Sequence, residues 1–470
     1  RRQLGGCFPI SLPGGDLMKI GLEIHLQLPT ASKLFCSCST SSDGPNTAVC
    51  PTCLGFPGSR PRLNRKALEI GVRISKFLKC AIADTTWFSR KTYFYPDLPK
   101  NFQITQYDSP LGLNGRFSLD GKIVRITRVH LEEDPGRIKR VGKSGEEVSL
   151  IDYNRSGIPL VEIVTAPDIS SPTEARDFMA DILIELRHLV GLSEKDERTV
   201  RVDANISLGE ERVEIKNILG LRNLERGLSF EASRQMKMLK AGKKIVRETR
   251  HFDEERRVTI SARGKESEED YGYIAEPDLG IFSVGEMARN MVIPETPLRM
   301  AMRISSKYAL DRATARQIVM TSRGLAELFE RLCTTIPPEI VATWILGPLS
   351  SNSALLEKGM GEQLVREVEK ILRAVVSGDM TDSEARIRID VLGRDESKRD
   401  SSEEMKGGDL SELVAACIDE NPDVLSDFRT NKRAANFVIG QIMRSTKGKF
   451  ASGEIVEAVN REIERRLKDK

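Results

Sequence analysis

Hydrophobic and polar residues alternate in several short segments within the first 290 residues of the chain. In residues 19–28 an aliphatic side chain stands at every second position, which is the period of a β-strand with one buried face. Residues 200–208 and 212–216 follow the same pattern, and Gly, Pro and Asn residues separate such segments. Two stretches, 171–190 and 227–239, have the spacing of helices instead. The pattern therefore predicts an α+β fold whose first domain is rich in antiparallel β-sheet.

From about Pro297 onward, the apolar residues change to the spacing of α-helices. After Asp409, a residue type that often caps helices, an apolar stripe runs to an Asn-Pro pair that should end the helix. The segment 377–408 is rich in charged residues, Ser and Gly, and we place a hinge there. The expected organisation is a loosely ordered extension at 1–17, a β-rich domain at 18–296, a helical domain at 297–405 and a small α-helical tail domain at 406–470.

Composition and charge narrow the class of protein. Hydrophobic residues make up 39% of the chain and no apolar run reaches eighteen residues, so we expect a soluble, cytoplasmic protein without a membrane span. The 72 basic residues are balanced by 69 acidic ones, which excludes a uniformly basic protein that coats nucleic acid. Residues 428–470 contain eleven basic and five acidic side chains, and this excess predicts a local basic patch.

Four cysteines lie close together in the chain and have the spacing of a metal site. They are Cys36, Cys38, Cys50 and Cys53, and thiolates in two such short knuckles can bind one tetrahedral Zn²⁺. The intervening residues 39–49 are mostly small and polar, so we expect the ion to order this loop. The alternatives are two disulfides, which are rare in the cytosol, or four unrelated thiols. A closed site of four cysteines would be structural, because it leaves no position for a substrate.

The strand-like segments carry polar side chains on the face opposite their aliphatic residues. These side chains are Glu23 and His25 in the first segment, Arg201, Asp203 and Asn205 in the second, and Glu214 and Lys216 in the third. A sheet with one solvated side would explain them without any function. However, Asp and Asn are depleted from strands, and Asp203 together with Asn205 therefore favours a ligand-binding face.

Two further segments add a histidine and more carboxylates, namely His130, Glu132, Glu133, Asp134 and Glu162. Carboxylate and amide oxygens are the ligands that Mg²⁺ accepts, usually together with water and phosphate. Such a set beside Arg and Lys residues favours phosphoryl transfer. The chain contains neither a GxxxxGK[ST] loop nor a GxSxG motif, so a nucleotide would have to bind on the surface of the sheet.

Basic and aromatic residues are interleaved in the segment 90–101, which reads RKTYFYPDLPKN. Such a segment could stack on a nucleic acid and neutralise its charge. Alternatively, its aromatic residues and prolines could pack a rigid loop onto the sheet. The sequence supports both interpretations equally.

Several blocks of sequence, in order, resemble one known family. They include residues 21–25 (GLEIH), 50–55 (CPTCLG), 126–134, 203–207 (DANIS), 247–253 and 440–449. On these blocks the chain resembles the B subunit of the three-subunit aminoacyl-tRNA amidotransferase, which converts misacylated Asp-tRNA(Asn) or Glu-tRNA(Gln) to the amide. The archaeal E subunit shares this core but carries an extra domain before its helical part. Here only about twenty residues separate Asp278 from the helical region, which favours the B subunit.

The resemblance implies a cradle-shaped catalytic domain that uses ATP and Mg²⁺ to phosphorylate the side-chain carboxylate on the tRNA. Ammonia then attacks the acyl phosphate. In the family a glutaminase A subunit supplies the ammonia through a channel, and a small C subunit straps the two larger subunits together. The implied partners are thus the A and C subunits, tRNA(Asn) or tRNA(Gln), and a non-discriminating aminoacyl-tRNA synthetase, with no membrane involved.

The resemblance also carries roles to individual residues. It assigns Glu23, His25, Glu133 and Glu162 to the positioning of the metal and the phosphate, with Glu132 as the alternative to Glu133. It places Lys91 and Asp203 at the site where the acyl phosphate lies and ammonia enters. Supporting contacts with the cofactor are assigned to Arg201, Asn205 and Lys216. In the tail, the residues expected to bind tRNA are Lys432, Arg433, Arg444, Lys447 and Lys449.

Two other classes of protein fit part of the sequence. A non-catalytic zinc-knuckle RNA-binding protein would account for the cysteines and the basic tail, but not for Asp203 and Glu162. An independent small-molecule kinase would account for the carboxylates but not for the tail. ATP hydrolysis that is stimulated by misacylated tRNA, and only with partner subunits present, would distinguish the three classes.

Overall fold

The computed structural model divides into two compact units, with the boundary between Thr296 and Pro297. The residues that it describes are 18–119, 121–142, 148–192, 200–262, 272–352, 361–393, 410–421, 424–425, 428, 435–446, 450 and 452–468. The predicted extension at 1–17 and the predicted cap Asp409 lie outside these residues. Within the described part of the chain, no helix is both long enough and apolar enough to cross a membrane.

A large β-sheet forms the centre of the first unit. The strands of this unit are β1 Lys19–Gln27, β2 Thr85–Thr86, β3 Ser89–Thr92, β4 Phe102–Thr105, β5 Gly112–Leu119, β6 Lys122–Glu133, β7 Arg137–Val141, β8 Val148–Asp152, β9 Pro159–Thr165, β10 Val200–Ser207, β11 Val213–Ile218, β12 Glu248–Asp253, β13 Val258–Ser261, β14 Gly272–Ala275 and β15 Phe282–Ser283. Eleven of these described strands join in one sheet, in the order β13-β12-β11-β10-β1-β9-β6-β4-β3-β14 with β5 paired to β6. The strands β7 and β8 form a separate hairpin, and β15 pairs with β2.

The three segments with a period of two are strands, as predicted, and they lie side by side. The strand β1 pairs with β10 in an antiparallel register, and β10 pairs with β11 in the same way. In β1 the aliphatic side chains are buried, while Glu23, His25 and Gln27 are partly exposed. The α+β fold class inferred from the sequence is thus confirmed.

One strand pair departs from the predicted antiparallel arrangement, because β11 and β12 are parallel. The helix Leu221–Lys240 connects these two strands. A helical crossover returns the chain to the end of the sheet from which it came, so the next strand runs parallel to the previous one. The sheet is therefore mixed.

Helices cover the aliphatic face of the sheet. The helix Arg65–Phe77 begins after Asn64, whose side chain accepts a hydrogen bond from the backbone N–H of Ala67. It packs closely against β6, and at Gly71 a Cβ atom would lie only 2.5 Å from Cδ1 of Leu111. A larger residue at this position would have to displace the end of the Leu111 side chain and press on Leu131 of β6, so the glycine lets the helix lie close to the sheet.

Two longer helices complete this layer. The helix Pro172–Val190 begins after Ser171, as predicted, and the Ser171 side chain accepts a hydrogen bond from the backbone of Glu174. It packs against the helix Leu221–Lys240, which begins earlier than the predicted residue 227. The opposite face of the sheet is the one that carries the predicted polar side chains.

The second unit is helical. Its helices are Pro297–Tyr308, Arg312–Thr321, Arg323–Leu332, Pro338–Trp344, Glu362–Ser377, Asp382–Gly393, Leu410–Asp419, Ala435–Thr446 and Ser452–Lys468, with a π-helical turn at Ile345–Leu349. Two hydrophobic clusters hold the described helices together, one formed by residues between Met300 and Ile389 and the other by residues between Val414 and Ile463. The two clusters share no residue.

The hinge predicted at 377–408 is wrong for part of that segment. The helix Asp382–Gly393 lies within it, and Ala385 and Ile389 are fully buried in the first hydrophobic cluster. Between 385 and 391 the apolar residues stand at every second position, which is not the spacing of a helix, and charged residues surround them. The composition therefore pointed to a linker instead. Residues 394–408 lie outside the described part of the chain.

Candidate active site on the polar face of the sheet

The strand register brings the predicted polar side chains of the sheet into one patch. In β1, Glu23 lies opposite Asp203 of β10, and His25 lies between Arg201 of β10 and Glu162 of β9. Residues directly opposite each other in antiparallel strands project to the same face. We call this patch the polar face, and it comprises Glu23, His25, His130, Glu132, Glu162, Arg201, Asp203 and Asn205.

Several carboxylates of the polar face approach His25 closely. The Nδ1 atom of His25 lies 3.3 Å from Oε1 of Glu132 and 3.8 Å from Oε2 of Glu162. One ligand atom from each of these three residues lies within 4.8 Å of the others. The same holds for His25 together with Glu23 and Asp203. The geometry thus provides two groups of three donors that share His25.

Glu133 does not belong to the polar face, although its neighbour Glu132 does. Consecutive residues of a strand project to opposite sides, so only Glu132 shares the side of His130 in β6. Glu133 is buried on the other side, where it pairs with Lys100 and accepts a hydrogen bond from the backbone N–H of Ile104. Of the two alternatives that the sequence offered, only Glu132 stands beside His25.

Burial and neighbouring charges shift the pKa values of these groups. Burial, together with the charges of Glu162 and Asp203, raises the pKa of Glu23 to about 7. Burial lowers the pKa of His25, but the hydrogen bond with Glu132 and the charge of Glu162 outweigh it and raise that pKa to about 9. For Glu132, burial raises the pKa, and the hydrogen bond with His25 outweighs burial and lowers the pKa to about 2. His25 and Glu132 therefore form an ion pair at neutral pH, and perturbed groups of this kind are concentrated at functional sites.

The polar face fits a hard divalent cation. Glu23, Glu132, Glu162 and Asp203 supply carboxylate oxygens, which are the donors that Mg²⁺ prefers. Beside them, Nδ1 of His130 and Nε of Arg128 are buried and have no hydrogen-bond partner within the described part of the chain. Buried polar atoms in native proteins are nearly always hydrogen-bonded, so these two atoms fit a site that accepts a polar ligand or water.

Two of the predicted supporting residues contact these carboxylates directly. The Nδ2 atom of Asn205 donates a hydrogen bond of 3.0 Å to Oε1 of Glu23. The Nζ atom of Lys216 lies 2.9 Å from Oε1 of Glu214 and 3.8 Å from Oδ2 of Asp203. Burial lowers the pKa of Lys216, but the charges of Glu214 and Asp203 outweigh burial and raise it, so the amine is charged. The hydrogen bond from Asn205 orients Glu23, whereas Asp203 is oriented by a hydrogen bond of 2.6 Å that its Oδ1 accepts from the backbone N–H of Asn217.

Lys91 lies on the same side of the sheet, farther along the strand order. In β3 it lies opposite Gln103 of β4, and Thr105, two residues after Gln103, lies opposite Glu132 of β6. The pairing therefore places Lys91 on the side of the polar face. Its charge is among those that lower the pKa of Glu132, after the hydrogen bond with His25.

A polar cavity of about 720 Å³ adjoins the polar face at Arg201. Its walls also include Arg137, Arg155 and Asn217. The Arg201 guanidinium lies 2.6 Å from Oδ1 of Asp134, and that of Arg155 lies 3.6 Å from the other carboxylate oxygen of Asp134. This cavity has the size and the positive side chains to accept an anionic group next to the carboxylates.

Two arginines of this region were not predicted from the sequence. Arg128 lies 3.6 Å from Glu162, and it alternates with His130 and Glu132 along β6, so counting back by two from His130 would have found it. Arg155 lies in a turn after β8, where no periodicity applies. Nothing in the local sequence distinguishes Arg155 from the other arginines of the chain.

The four predicted zinc ligands come together at a second site in the same unit. The Sγ atoms of Cys36, Cys38, Cys50 and Cys53 lie within 4.8 Å of one another, and none of the four is in a disulfide. The hydrogen bond with Cys36 lowers the pKa of Cys53 to about 4. The amine of the fully buried Lys33 lies 3.7 Å from Sγ of Cys53. A buried positive charge beside thiolates suits a four-cysteine zinc site, so the donor set fits the metal.

The loop 39–49 between the cysteines is also held by hydrogen bonds, which the sequence interpretation did not expect. The Asn46 side chain exchanges two hydrogen bonds with the backbone of residues 151–153. The Asn154 side chain does the same with the backbone of residues 44–48. A metal is therefore not the only possible source of order in this loop, contrary to the expectation drawn from its composition.

The segment 90–101 combines features of both of its predicted interpretations. The Tyr93 hydroxyl donates a hydrogen bond of 3.3 Å to Gln103, and the Tyr153 hydroxyl donates one of 2.9 Å to the backbone oxygen of Pro96. The side chain of Phe94, however, is 82% exposed. The loop is thus anchored to its surroundings and still presents an aromatic ring to solvent.

The cations of the tail that were expected to bind tRNA are not located. Lys432, Arg433, Lys447 and Lys449 lie outside the described residues. Arg444 belongs to the helix Ala435–Thr446, but its side chain is not described. Their role stays a prediction.

Comparison with known proteins gives consistent matches over most of the chain. The model of the GatB/GatE catalytic domain matches residues 18–289, and that of the GatB domain matches residues 327–463. The B subunit of an aspartyl/glutamyl-tRNA(Asn/Gln) amidotransferase from Methanospirillum hungatei is 41% identical over 462 residues, which cover 93% of this chain and 96% of the relative. Relatives with the same name from Methanoregula boonei and Moorella thermoacetica are 39% and 37% identical; the matches cover 96% and 95% of this chain, and 98% and 99% of those relatives.

Proposed function

The chain belongs to the family of aspartyl/glutamyl-tRNA(Asn/Gln) amidotransferase B subunits, and on that premise we propose that it phosphorylates the side-chain carboxylate of a misacylated tRNA during transamidation. The observation that supports this step most directly is the group of carboxylates around His25 on the polar face. No other cluster of carboxylates with a histidine occurs among the metal-binding candidates in the described part of the chain.

The chemistry requires an activated carboxylate. A free carboxylate reacts poorly with ammonia, because an oxide ion would have to leave. Transfer of the terminal phosphoryl group of ATP to one carboxylate oxygen gives an acyl phosphate and ADP. Ammonia then attacks the acyl carbon, inorganic phosphate leaves, and the amide forms.

We assign the metal ligands to the polar face. Glu23, Glu132 and Glu162 would hold Mg²⁺, with Glu132 in the place expected for Glu133, while Asp203 would stay free for the attacking ammonia. When bound, Mg²⁺ supplies positive charge at the transferring phosphoryl group. His25, paired with Glu132 at 3.3 Å, would keep that carboxylate ionised and oriented.

Positive side chains around the polar face would stabilise the remaining charge. Lys91 and Arg128 lie on the side of Glu132 and Glu162 and would neutralise the acyl phosphate. Asp203, with Lys216 3.8 Å away, would accept a proton from the attacking nitrogen. Arg201 and Asn205 would contribute supporting contacts.

The remaining assignments follow from membership of a multi-subunit enzyme. A glutaminase A subunit would supply ammonia and a small C subunit would join the two, and the assembly would act in the cytoplasm, where aminoacyl-tRNA is made. The four cysteines would hold a structural zinc, and the tail domain at 406–470 would bind the tRNA. Aspartyl and glutamyl groups differ by one methylene, so we propose that the chain accepts Asp-tRNA(Asn) and also Glu-tRNA(Gln).

The test uses the enzyme assembled with its A and C subunits and each misacylated tRNA in turn. The wild type should cleave ATP only when misacylated tRNA is present. His25→Ala and Asp203→Ala should each reduce that cleavage by about 100-fold or more, because each loses a group at the site of charge transfer. Glutamine hydrolysis by the A subunit should persist in both.

Glu211→Ala is the matched control. Glu211 is an exposed carboxylate in the loop between β10 and β11, outside the polar face, and its loss should leave ATP cleavage unchanged. If the His25 and Asp203 variants cleave ATP at the wild-type rate, the polar face is only a solvated surface without a catalytic role. Inactivity on both tRNAs would overturn the proposed function, and ATP cleavage without tRNA would favour the small-molecule kinase.

A further inference from the structure

A pair of stacked tyrosines stands at the β14 edge of the sheet, beside the polar face. Tyr273 of β14 lies opposite Lys91 of β3, so both project to the same side of the sheet. Burial raises the pKa of the Tyr273 hydroxyl, and the charges of Lys91, Arg128 and Glu132 also act on it. The Tyr273 ring is therefore close to groups that the proposed reaction uses.

Tyr107, which follows β4, covers one face of the Tyr273 ring. The two ring centroids are 3.8 Å apart and the ring planes differ by only 15°. Tyr273 is half-buried, whereas Tyr107 is 45% exposed. A ring already held against another ring loses little conformational freedom when a third planar group stacks on it. The pair is thus a preorganised aromatic surface that reaches solvent.

The surroundings of this surface favour a ligand that is both planar and anionic. A tyrosine that served only to pack the fold would gain most by being buried, but nearly half of Tyr107 is exposed. Lys91 and Arg128 supply positive charge on the same side of the sheet. Aromatic rings interleaved with cations are the arrangement that binds nucleotides through base stacking and phosphate contacts.

We infer that Tyr107 and Tyr273 form a stacking platform for an adenine ring. The inference rests on the proposed function, which brings two adenine-containing substrates to the polar face: ATP and the 3′-terminal adenosine of the aminoacyl-tRNA. Stacking would hold the substrate beside Lys91 and Glu132 without touching the reacting atoms. Both tyrosines are therefore positioning residues, and the experiment identifies which adenine they bind.

Fluorescence quenching tests the platform directly in the assembled enzyme. The probes are the triphosphate of 2-aminopurine riboside and a tRNA whose 3′-terminal adenosine is replaced by 2-aminopurine riboside. The fluorescence of this base is quenched when it stacks on an aromatic ring. We expect one probe to be quenched on binding to the wild type. The quenched probe identifies whether the stacked adenine comes from ATP or from the 3′ end of the tRNA. Tyr107→Leu should abolish the quenching, whereas Tyr107→Phe, which keeps the ring, should preserve it.

Steady-state kinetics provide an independent readout. Stacking of one base on an aromatic side chain corresponds to about a tenfold change in affinity. Tyr107→Leu should raise the KM for ATP or for aminoacyl-tRNA by about tenfold, with little change in kcat, and the affected substrate should match the quenched probe. The melting temperature of each variant shows whether it folds, and Tyr107→Trp, which extends the ring surface, should keep or strengthen the quenching even if Tyr107→Leu is unstable.

The outcomes separate this inference from the proposed function. If neither probe is quenched, or if the wild type and Tyr107→Leu quench equally, the platform is wrong even when the wild type forms the amide normally. Unchanged KM values for both substrates in a folded Tyr107→Leu enzyme would overturn it as well. Failure of the wild type to couple ATP cleavage to misacylated tRNA would instead refute the proposed function itself.

Discussion

At the scale of the residue, function depends on which side of a strand a side chain occupies. Glu132 and Glu133 are adjacent in β6, have the same chemistry and are both nearly inaccessible to solvent. Glu132 lies 3.3 Å from His25 on the polar face, whereas Glu133 neutralises Lys100 on the other side. In the proposed function the first holds a substrate-bound metal, while the second balances a buried charge.

We therefore predict that Glu132→Gln and Glu133→Gln have different consequences. Glu132→Gln removes a charge from the polar face and should reduce tRNA-dependent ATP cleavage by about 100-fold or more. Its effect on unfolding should be the smaller of the two, because His25 keeps a second carboxylate, that of Glu162, 3.8 Å from its Nδ1 atom. Glu133→Gln leaves the buried Lys100 without its carboxylate and should lower the free energy of unfolding by about 3 to 5 kcal/mol. Denaturant unfolding of the purified variant chains and ATP cleavage by the enzymes assembled from them with the A and C subunits measure the two effects. Equal loss of ATP cleavage per folded molecule would contradict the assignment by face.

At the scale of the element, strands with one solvent-exposed face could be predicted from the sequence, but the pairing of these strands could not. Aliphatic residues stand at every second position in β1, in β10 and in the first four residues of β11, so the side of each polar residue there follows from a period of two. The end of β11 does not follow this period, because Asn217 has a positive φ of 58° and Ile218 is buried. The register that sets Glu23 opposite Asp203 depends on contacts between residues far apart in the chain, and no local pattern encodes it. The parallel pairing of β11 with β12 likewise depends on contacts between residues far apart in the chain, and no local pattern encodes it.

The candidate site was predictable to the same degree. Its residues on alternating strands were identified, but the choice between Glu132 and Glu133 required the register of β6, which the short sequence HLEED does not define. Arg155 was missed because it lies in a turn. The order of the cysteine loop was attributed to zinc alone, because hydrogen bonds from Asn46 and Asn154 to distant backbone cannot be read from composition.

The four clustered cysteines should bind a zinc ion that stabilises the element around them. Cys50→Ser should remove about one zinc per chain and lower the melting temperature, because metal binding contributes directly to the stability of such a site. ATP cleavage per folded molecule should change little, since the four cysteines leave no open position for a substrate. Metal analysis and thermal melting are the measurements.

Cys333→Ser is the matched control for this variant. Cys333 is a free cysteine in the helical unit, outside the cluster, so its loss should leave the zinc content unchanged. A Cys50→Ser chain that melts like the wild type would show that the hydrogen bonds of Asn46 and Asn154 suffice to order the loop. A wild-type chain that contains no zinc and is nevertheless fully folded and active would refute the proposed zinc site.

At the scale of the whole molecule, the tail has a core of its own. Residues between Val414 and Ile463 form a hydrophobic cluster that shares no residue with the cluster between Met300 and Ile389. Removal of the tail should therefore leave the other cores intact, since no described residue of those cores is deleted. This separation makes it possible to test the tail without disturbing the polar face.

We predict that a chain lacking residues 406–470 binds tRNA more weakly and with a smaller dependence on salt. Each phosphate contact by a cation releases counterions, so loss of the five cations proposed to bind tRNA should reduce the slope of log affinity against log salt by up to about 4. Those cations are Lys432, Arg433, Arg444, Lys447 and Lys449. The measurement is tRNA binding by the assembled enzyme over a series of salt concentrations.

A full-length chain with these five cations changed to Ser distinguishes a loss of charge from a loss of shape, and it should reproduce most of the effect of the truncation. Arg461→Ala is its control, because Arg461 is an exposed cation of the helix Ser452–Lys468 that pairs with Glu457 and is not among the proposed tRNA contacts. Both altered enzymes should keep glutaminase activity and should reach the wild-type rate of amide formation when tRNA is raised. If truncation changes neither the affinity nor the salt slope, the basic patch is used for contacts between subunits or for solubility, and the tRNA must be bound by the rest of the enzyme.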